Sequence, residues 1–149
     1  MTGPNEIQDG LRRNPAFLLA QTARLMRERV SGALRGTGLS PQELTILRLL
    51  QGSGPINQQE LGTACNLDKT TITELIDSLQ AAGFVRRDVN VNDRRAKQIS
   101  ITVSGKRVLK KASRLAESVE KEFVQLLSER EWSTVQKCLQ RYLDESERS

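Results

Sequence analysis

The sequence has no histidine among its 149 residues, and only 3% of them are aromatic. The commonest general base and the commonest metal ligand are therefore missing, and no nucleophile stands in a recognisable catalytic motif. The two cysteines, Cys65 and Cys138, do not make a disulfide framework. No N-terminal run is long and apolar enough for a signal peptide or a membrane span. These absences predict a cytoplasmic protein that is not an enzyme, holds no metal or cofactor and does not bind a membrane.

Charge is distributed unevenly along the chain. The net charge is +5, but the basic and acidic residues of positions 1–85 cancel one another. Residues 86–111 carry nine basic side chains against two acidic ones, and residues 112–149 are slightly acidic. A positive excess confined to one short region is typical of a nucleic-acid-binding surface, although a solvated face is the simpler alternative.

Helical patterns dominate both ends of the chain. Capping residues mark four predicted helix starts outside the central region: Asn14, Ser40, Ser104 and Ser128. The third of these helices is predicted to extend over residues 105–127. The first and last helices are more apolar than a one-sided surface helix requires. Packing the two ends together and against a second copy of the chain would bury them, which predicts a homodimer.

A pair of short helices occupies the first part of residues 57–103. Asn57 is predicted to cap the first helix. The polar turn Cys65-Asn66-Leu67 separates it from the second, and Asn66 is expected to tolerate a left-handed conformation there. Asp68 is predicted to cap the second helix. Its apolar stripe has the helical spacing i, i+3, i+4, i+7: Ile72, Leu75, Ile76 and Leu79.

A β-hairpin is predicted to follow the helix pair. Residues 84–89 and 98–103 have the residue types of strands, and residues 90–96 form a polar loop between them. A helix pair followed by a basic hairpin fits duplex DNA, with one helix in the major groove and the hairpin beside it. The predicted fold class is therefore mainly α with a small β-hairpin.

The outward face of the second helix, with Thr71 at its edge, supplies the first group of candidate DNA-contacting residues: Lys69, Thr70, Thr71, Thr73 and Glu74. Threonine offers a hydroxyl group for phosphates or base edges and a methyl group for thymine. The first three of these residues lie in the first turn, where free N–H groups are expected to face a phosphate. The same run of threonines is also compatible with a solvated helix start.

The hairpin tip supplies the second group: Asp93, Arg94, Arg95 and Lys97. Asp93 is placed to hold Arg95 extended through a charge-assisted hydrogen bond. An extended arginine on a narrow tip suits the minor groove, whose negative potential attracts it. Arg94 and Lys97 are expected to meet phosphates. The alternative is a hairpin tip that its charges merely keep soluble.

Three motifs make the sequence similar to the MarR family of bacterial transcriptional regulators. They are Leu67-Asp68-Lys69-Thr70-Thr71-Ile72-Thr73, Leu79-x-x-x-Gly83-Phe84-Val85-x-Arg87, and Asp93-Arg94-Arg95-Ala96-Lys97 followed by Ile101-Thr102. The resemblance covers residues 14–145 and implies a dimeric winged helix-turn-helix protein. Residues 37–104 would form the DNA-binding lobe, while residues 1–36 and 105–149 would supply the N- and C-terminal dimerisation helices.

The resemblance also implies roles for individual residues. The helix from Asp68 is similar to the family's major-groove reader, and Arg95 is similar to its minor-groove arginine, oriented by Asp93. Members of the family typically bind pseudo-palindromic promoter sites and repress transcription. Many release DNA when a small phenolic or anionic compound binds between the dimer region and the DNA-binding lobe.

The sequence departs from the family pattern in the reading helix. The family often has arginine where this chain has Glu74, and again where it has Ser78. The helix has thus lost phosphate-binding charge and gained a carboxylate, which suits the amino group of cytosine. The reactive cysteine of the family's peroxide sensors is absent from residues 14–36. The histidine ligands of its zinc sensors are absent altogether.

Two other functions remain open from the sequence. Cys65 and Cys138 are expected to be small core residues, and the alternative is a regulator in which one of them senses oxidation. A dimeric winged-helix adaptor that binds protein instead of DNA is the second alternative. A DNA-binding protein that neutralises several phosphates loses affinity steeply as salt rises, so salt separates it from an adaptor.

Overall fold

The computed structural model describes residues 10–89 and 97–146, except for the side chains of Val89 and Lys97. Its elements follow in this order: α1 (Pro15–Ala33), α2 (Pro41–Ser53), β1 (Ile56–Asn57), α3 (Gln58–Ala64), α4 (Lys69–Ala81), β2 (Val85–Val89), β3 (Lys97–Ile101), α5 (Val103–Val124) and α6 (Glu129–Ser146). The predicted fold class, mainly α with a small hairpin, is confirmed.

The sheet has three antiparallel strands in the order β1-β3-β2. Ile56 of β1 pairs with Ile99 of β3, and Val85 of β2 pairs with Ile101. Val85 and Ile99 are buried, so one face of the hairpin base belongs to the core. β1 adds a third strand to the predicted hairpin. The return strand ends at Ile101 and not at residue 103, because the chain already turns into α5 there.

The long helix begins two residues earlier than the sequence predicts and ends at Val124 instead of residue 127. Its N-cap is Thr102, not Ser104, since the Thr102 hydroxyl accepts a hydrogen bond from the Gly105 N–H at 3.0 Å. The same hydroxyl donates to the Gly83 carbonyl at 2.7 Å. Thr102 therefore ties the start of α5 to the turn after α4.

The other predicted caps are confirmed. The Asn14 and Asn57 side chains accept hydrogen bonds from the backbone three residues on. Ser40 and Glu43 form both bonds of a capping box, and Ser128 does the same with Glu131. Because each cap satisfies N–H groups that an isolated helix end leaves unpaired, these short motifs fix the helix starts locally.

The core is aliphatic and centres on α2, whose buried apolar side chains are Leu44, Ile46, Leu47 and Leu50. Both α1 and α2 pack against α5. Each fully buried aliphatic side chain contributes about 1.5–3 kcal/mol of hydrophobic free energy. This cluster includes residues of α4 and of the sheet and therefore holds both in place.

The last helix is more exposed than the sequence predicts. None of the residues of α6 is buried in one chain, and Tyr142 and Leu143 are 72% and 59% exposed. Cys138 is exposed as well, so its predicted place in the core is wrong for the single chain. The reason is that the apolar stripe of α6 meets little of the same chain; Trp132, near its start, packs edge-on against Phe123.

Candidate nucleic-acid interface

The turn between α3 and α4 sets the angle of the helix pair. Asn66 adopts a left-handed conformation with φ of 51°, as the sequence predicts. The Leu67 N–H donates to the Gly62 carbonyl at 2.9 Å. A Cβ atom at Gly62 would lie 3.3 Å from the Ile72 side chain, so a glycine allows the close packing of α3 on α4.

The inner face of α4 is the predicted stripe. Ile72, Ile76 and Leu79 are buried, and Leu75 packs partly against the same core. This burial turns the opposite face of the helix outward. Among the predicted contact residues on that face, Lys69, Thr70 and Glu74 are exposed.

The first turn of α4 corrects the prediction of free N–H groups. Asp68 Oδ1 accepts hydrogen bonds from the N–H groups of Thr70 and Thr71, both at 2.9 Å. The Thr71 hydroxyl donates to Asp68 Oδ2 at 2.6 Å. These bonds, the Thr71 side-chain bond first, lower the pKa of the Asp68 carboxyl, so it stays ionised at neutral pH. Because those two amides are occupied beside a carboxylate, they do not form a phosphate site.

The threonines of α4 therefore differ in what they offer a ligand. The hydroxyl of Thr71 is bonded to Asp68, and that of Thr73 donates to the Lys69 carbonyl at 2.7 Å. The Thr70 side chain makes no hydrogen bond within the part of the chain that the structure describes. Its hydroxyl is therefore available to a ligand, as are the unpaired charges of Lys69 and Glu74 within residues 10–89 and 97–146.

Arg87, on β2, contacts both helices of the helix pair. Its guanidinium group lies 2.6 Å from Asp77 Oδ1 and donates to Gln80 Oε1 at 2.5 Å, both on α4. It also donates to Gln58 Oε1 of α3 at 3.3 Å. Arg87 is one of the nine basic residues of the positively charged region, but its charge is paired with Asp77 within the protein.

Arg86 lies on the other face of β2 and is also paired. It donates to Asp88 Oδ2 at 2.7 Å and to the Ser100 hydroxyl at 3.1 Å. The bond from Arg86 and then the bond from Ser100 lower the pKa of the Asp88 carboxyl. Two of the nine basic residues counted over 86–111 are thus paired within the protein, Arg86 inside the sheet and Arg87 against the helix pair.

Four further basic residues of that region are exposed on α5: Lys106, Arg107, Lys110 and Lys111. Thr102 fixes the start of α5 beside Gly83, at the C-terminal end of α4. The 13 residues of α4 span roughly 20 Å, so these cations begin at the far end of the helix from Lys69.

The hairpin tip lies outside the described residues, including the predicted contacts Asp93, Arg94 and Arg95. For Lys97 only the backbone is described, and it pairs with Val89 in the sheet. The predictions for the tip therefore stay predictions. What the structure gives is the base of the hairpin, which starts from the turn that ends α4.

The described residues give little support to a redox-sensing cysteine, a metal site or a membrane span. Desolvation by burial raises the pKa of the Cys65 thiol, which lowers the fraction of reactive thiolate at neutral pH. Within residues 10–89 and 97–146, no cluster of His, Cys, Asp or Glu side chains is arranged to hold a metal ion. In the same residues, none of the helices combines the length and hydropathy of a bilayer-spanning segment.

The sequence does not indicate that three residues of this site form an internal hydrogen-bonded group: Gln58, Gln80 and Arg87. Arg87 and Asp77 are ten positions apart, and no local periodicity pairs them. Only the folding of β2 back along α4 brings them together. The glutamines carried no signal of their own, since an exposed glutamine is common on any helix.

Comparisons with known proteins agree with this geometry. The chain matches the MarR family over residues 39–97, which include α2, α3, α4 and β2. It is 35% identical over 78 residues to the uncharacterized HTH-type transcriptional regulator YcgE of Bacillus subtilis; the alignment covers 52% of this chain and 51% of that protein. The chain thus spans about half the length of that relative. It is also 28% identical over 96 residues to the HTH-type transcriptional repressor Rv2887 of Mycobacterium tuberculosis, covering 64% of this chain and 69% of that protein.

A solved structure shares nearly the whole fold. CouR of Rhodococcus jostii, bound to p-coumaroyl-CoA, superposes with a TM-score of 0.80 at 26% sequence identity. The superposition covers 87% of this chain and 92% of that chain, so it includes terminal helices as well as the central helix pair.

Proposed function

We propose that this chain, whose residues 39–97 match the MarR family, is a sequence-specific DNA-binding transcriptional regulator of that family. Its proposed action is that of a repressor which a small-molecule ligand releases from a pseudo-palindromic operator. This action requires no catalysis and takes place in the cytoplasm, where the DNA is.

The outward face of α4 is the observation that carries the proposal. Lys69, Thr70 and Glu74 stand there exposed, without partners in the described part of the chain. An α-helix fits the major groove, where a lysine meets a phosphate and a carboxylate accepts from the amino group of cytosine. Thr71 and Thr73 would add their methyl groups and free lone pairs, since their protons are already donated within the protein.

The hairpin is proposed to complete the contact. Its base continues directly from the end of α4, so a tip beside the duplex follows from the helix docking in the groove. Arg95, held by Asp93, would enter the minor groove, while Arg94 and Lys97 meet phosphates. The division into a DNA-binding lobe at 37–104 and dimerisation segments at 1–36 and 105–149 is part of the same proposal.

A homodimer is proposed because the terminal helices leave apolar surface uncovered. A groove of about 600 Å³ lies between α1 and the C-terminal helices, with mainly apolar lining that includes Leu18, Met26, Phe123 and Trp132. Exposed leucines continue this surface on both helices: Leu19, Leu25, Leu139 and Leu143. Large contiguous apolar surface of this kind is typical of an interface.

A small phenolic or anionic effector is proposed as the signal. CouR, at 26% identity, has been solved with p-coumaroyl-CoA bound. A ligand that binds the DNA-free arrangement of the dimer more tightly than the DNA-bound arrangement would release the dimer from its operator. The size of the effect is set by the difference between these two affinities. Small phenolic acids are therefore the first compounds to test.

Selection from a pool of random duplexes tests the proposed function. The protein should enrich an inverted repeat with half-sites about one helical turn apart. Binding to the enriched duplex should weaken steeply as salt rises, since several phosphates are neutralised. A pool that shows no enrichment, or binding that salt does not affect, would overturn the assignment and favour the adaptor.

A further inference from the structure

Arg87 connects three elements through one planar group. Its side chain is 21% exposed, and its guanidinium group contacts Asp77 and Gln80 on α4 and Gln58 at the start of α3. The strand that carries Arg87 leads directly to the hairpin tip. One side chain thus fixes the hairpin base, the outward helix and the helix before it relative to one another.

The bonds beyond Arg87 have a defined direction. Arginine has five N–H donors and no acceptor, so Gln58 must turn its carbonyl oxygen toward Arg87. The Gln58 amide nitrogen then donates to the Thr73 hydroxyl at 2.8 Å. The Thr73 oxygen is thereby an acceptor, and its own proton goes to the Lys69 carbonyl at 2.7 Å.

We propose that Arg87 is a positioning residue for DNA reading, which sets the pose of α4 and the hydrogen-bond direction at Thr73 without touching DNA. This inference rests on the proposed function. With its proton committed, Thr73 offers the major groove a methyl group and a lone pair, but no donor. Thr73 therefore discriminates against bases that need a donor at that point, and the discrimination depends on Arg87.

A direct phosphate contact is the competing role for an arginine at this place. The two roles differ in their response to salt. Removing a phosphate contact weakens binding to all sequences alike and reduces the slope of log affinity against log salt by about 1. Removing a positioning residue leaves the salt slope unchanged and lowers the ratio of operator to non-operator affinity.

The experiment compares Arg87→Ala, Arg87→Lys and the neighbouring control Arg86→Ala. Each is titrated at several salt concentrations with the duplex enriched by the parent protein and with a scrambled duplex, using fluorescence anisotropy. Arg86 is the matched control because it precedes Arg87 on the same strand yet pairs with Asp88 and Ser100, away from α4. Thermal melts correct every affinity for the folded fraction.

The expected result is a loss of operator preference on the order of 10-fold for Arg87→Ala, with an unchanged salt slope and with the Arg86→Ala control like the parent. Arg87→Lys should also lose preference, because one ammonium cannot span three acceptors in a plane. A reduced slope in Arg87→Ala, full preference in Arg87→Lys, or full preference in both variants would overturn the inference.

Gln58→Ala keeps the inference testable if the Arg87 variants do not fold. It removes the link to Thr73 and should lower operator preference in the same direction; an unchanged preference would overturn the inference. If the parent protein itself prefers no duplex, the proposed function fails, which is a result distinct from any failure at Arg87.

Discussion

The Ser78 hydroxyl donates a hydrogen bond to the Glu43 carboxylate across 2.7 Å, which joins α4 to the first turn of α2. Glu43 is only 6% exposed, and its other oxygen accepts from the Ser40 N–H at 2.7 Å. Both oxygens of a buried carboxylate are thus satisfied within the protein. Position 78, where the resemblance leads one to expect arginine, therefore makes a structural bond to α2 in this chain.

Replacing Ser78 by alanine should reduce the free energy of unfolding. One oxygen of the buried Glu43 carboxylate would lose its donor, and such a loss costs about 1–3 kcal/mol. Ser53→Ala is the control, since the exposed Ser53 donates its hydroxyl proton to the Leu49 carbonyl of its own helix. Urea denaturation of both variants checks this expectation. Equal stabilities for the two variants would show that the Glu43 bond contributes nothing.

Gly105 should not tolerate a side chain. A Cβ atom there would lie 2.1 Å from the Phe84 carbonyl oxygen and 2.8 Å from the Ile101 side chain. Gly105→Ala must move α5 away from the turn after α4, and overpacking of this kind costs about 1–3 kcal/mol or more. Gly52→Ala is the control in α2: nothing lies within 4 Å of its Cβ position, and alanine favours a helix. Thermal melts should separate the two; a Gly105→Ala protein as stable as Gly52→Ala contradicts the close approach.

Acid should weaken the start of α4 through Asp68. The pKa of this carboxyl is lowered in the folded protein, mainly by the Thr71 hydroxyl and N–H bonds. Its contribution is therefore present above the unfolded pKa of about 3.9 and is lost as the pH falls through the lower folded value.

The Asp68→Asn variant tests this pH dependence. Asparagine still caps a helix but does not titrate, so unfolding of the variant should depend less on pH below about 4 than unfolding of the parent. Denaturant titrations at a series of pH values give the comparison. Identical pH profiles would show that Asp68 does not contribute to acid sensitivity.

Charges on α6 should separate the proposed dimer. Tyr142→Glu with Leu143→Glu places two carboxylates on surface that a second copy is proposed to cover, and sedimentation should then report a monomer. Val103→Glu is the control, because Val103 is 75% exposed at the start of α5, away from the terminal surface. A parent protein that sediments as a monomer would contradict the proposal without any variant.

The sequence predicts well what short-range chemistry decides. Caps at Asn14, Ser40 and Ser128, the left-handed Asn66 and the stripe of α4 all depend on residues within one or two turns. Thr102 and Ser104 show the limit of this approach. Both carry a hydroxyl that is suitable for a cap, and only the contact of Thr102 with Gly83 decides between them.

Long-range pairs were beyond the sequence for a physical reason. From the sequence, Arg87 is expected to carry an unpaired positive charge. In the structure, β2 folds against α4 and brings Arg87 to Asp77. Cys138 is predicted to be a core residue because it lies on the apolar stripe of α6, but this stripe is not covered by the rest of the same chain. The sequence predicts Asp68 as a cap, but only the distances show that its carboxylate occupies the two N–H groups that a phosphate would need.

Hydroxyl-radical footprinting of the enriched duplex locates α4 and the hairpin on DNA in one experiment. We expect two protected half-sites on one face, about one helical turn apart, each flanked by minor-groove protection that Arg95→Ala removes. Protection of a single half-site, or flanking protection that survives in Arg95→Ala, would contradict this expectation.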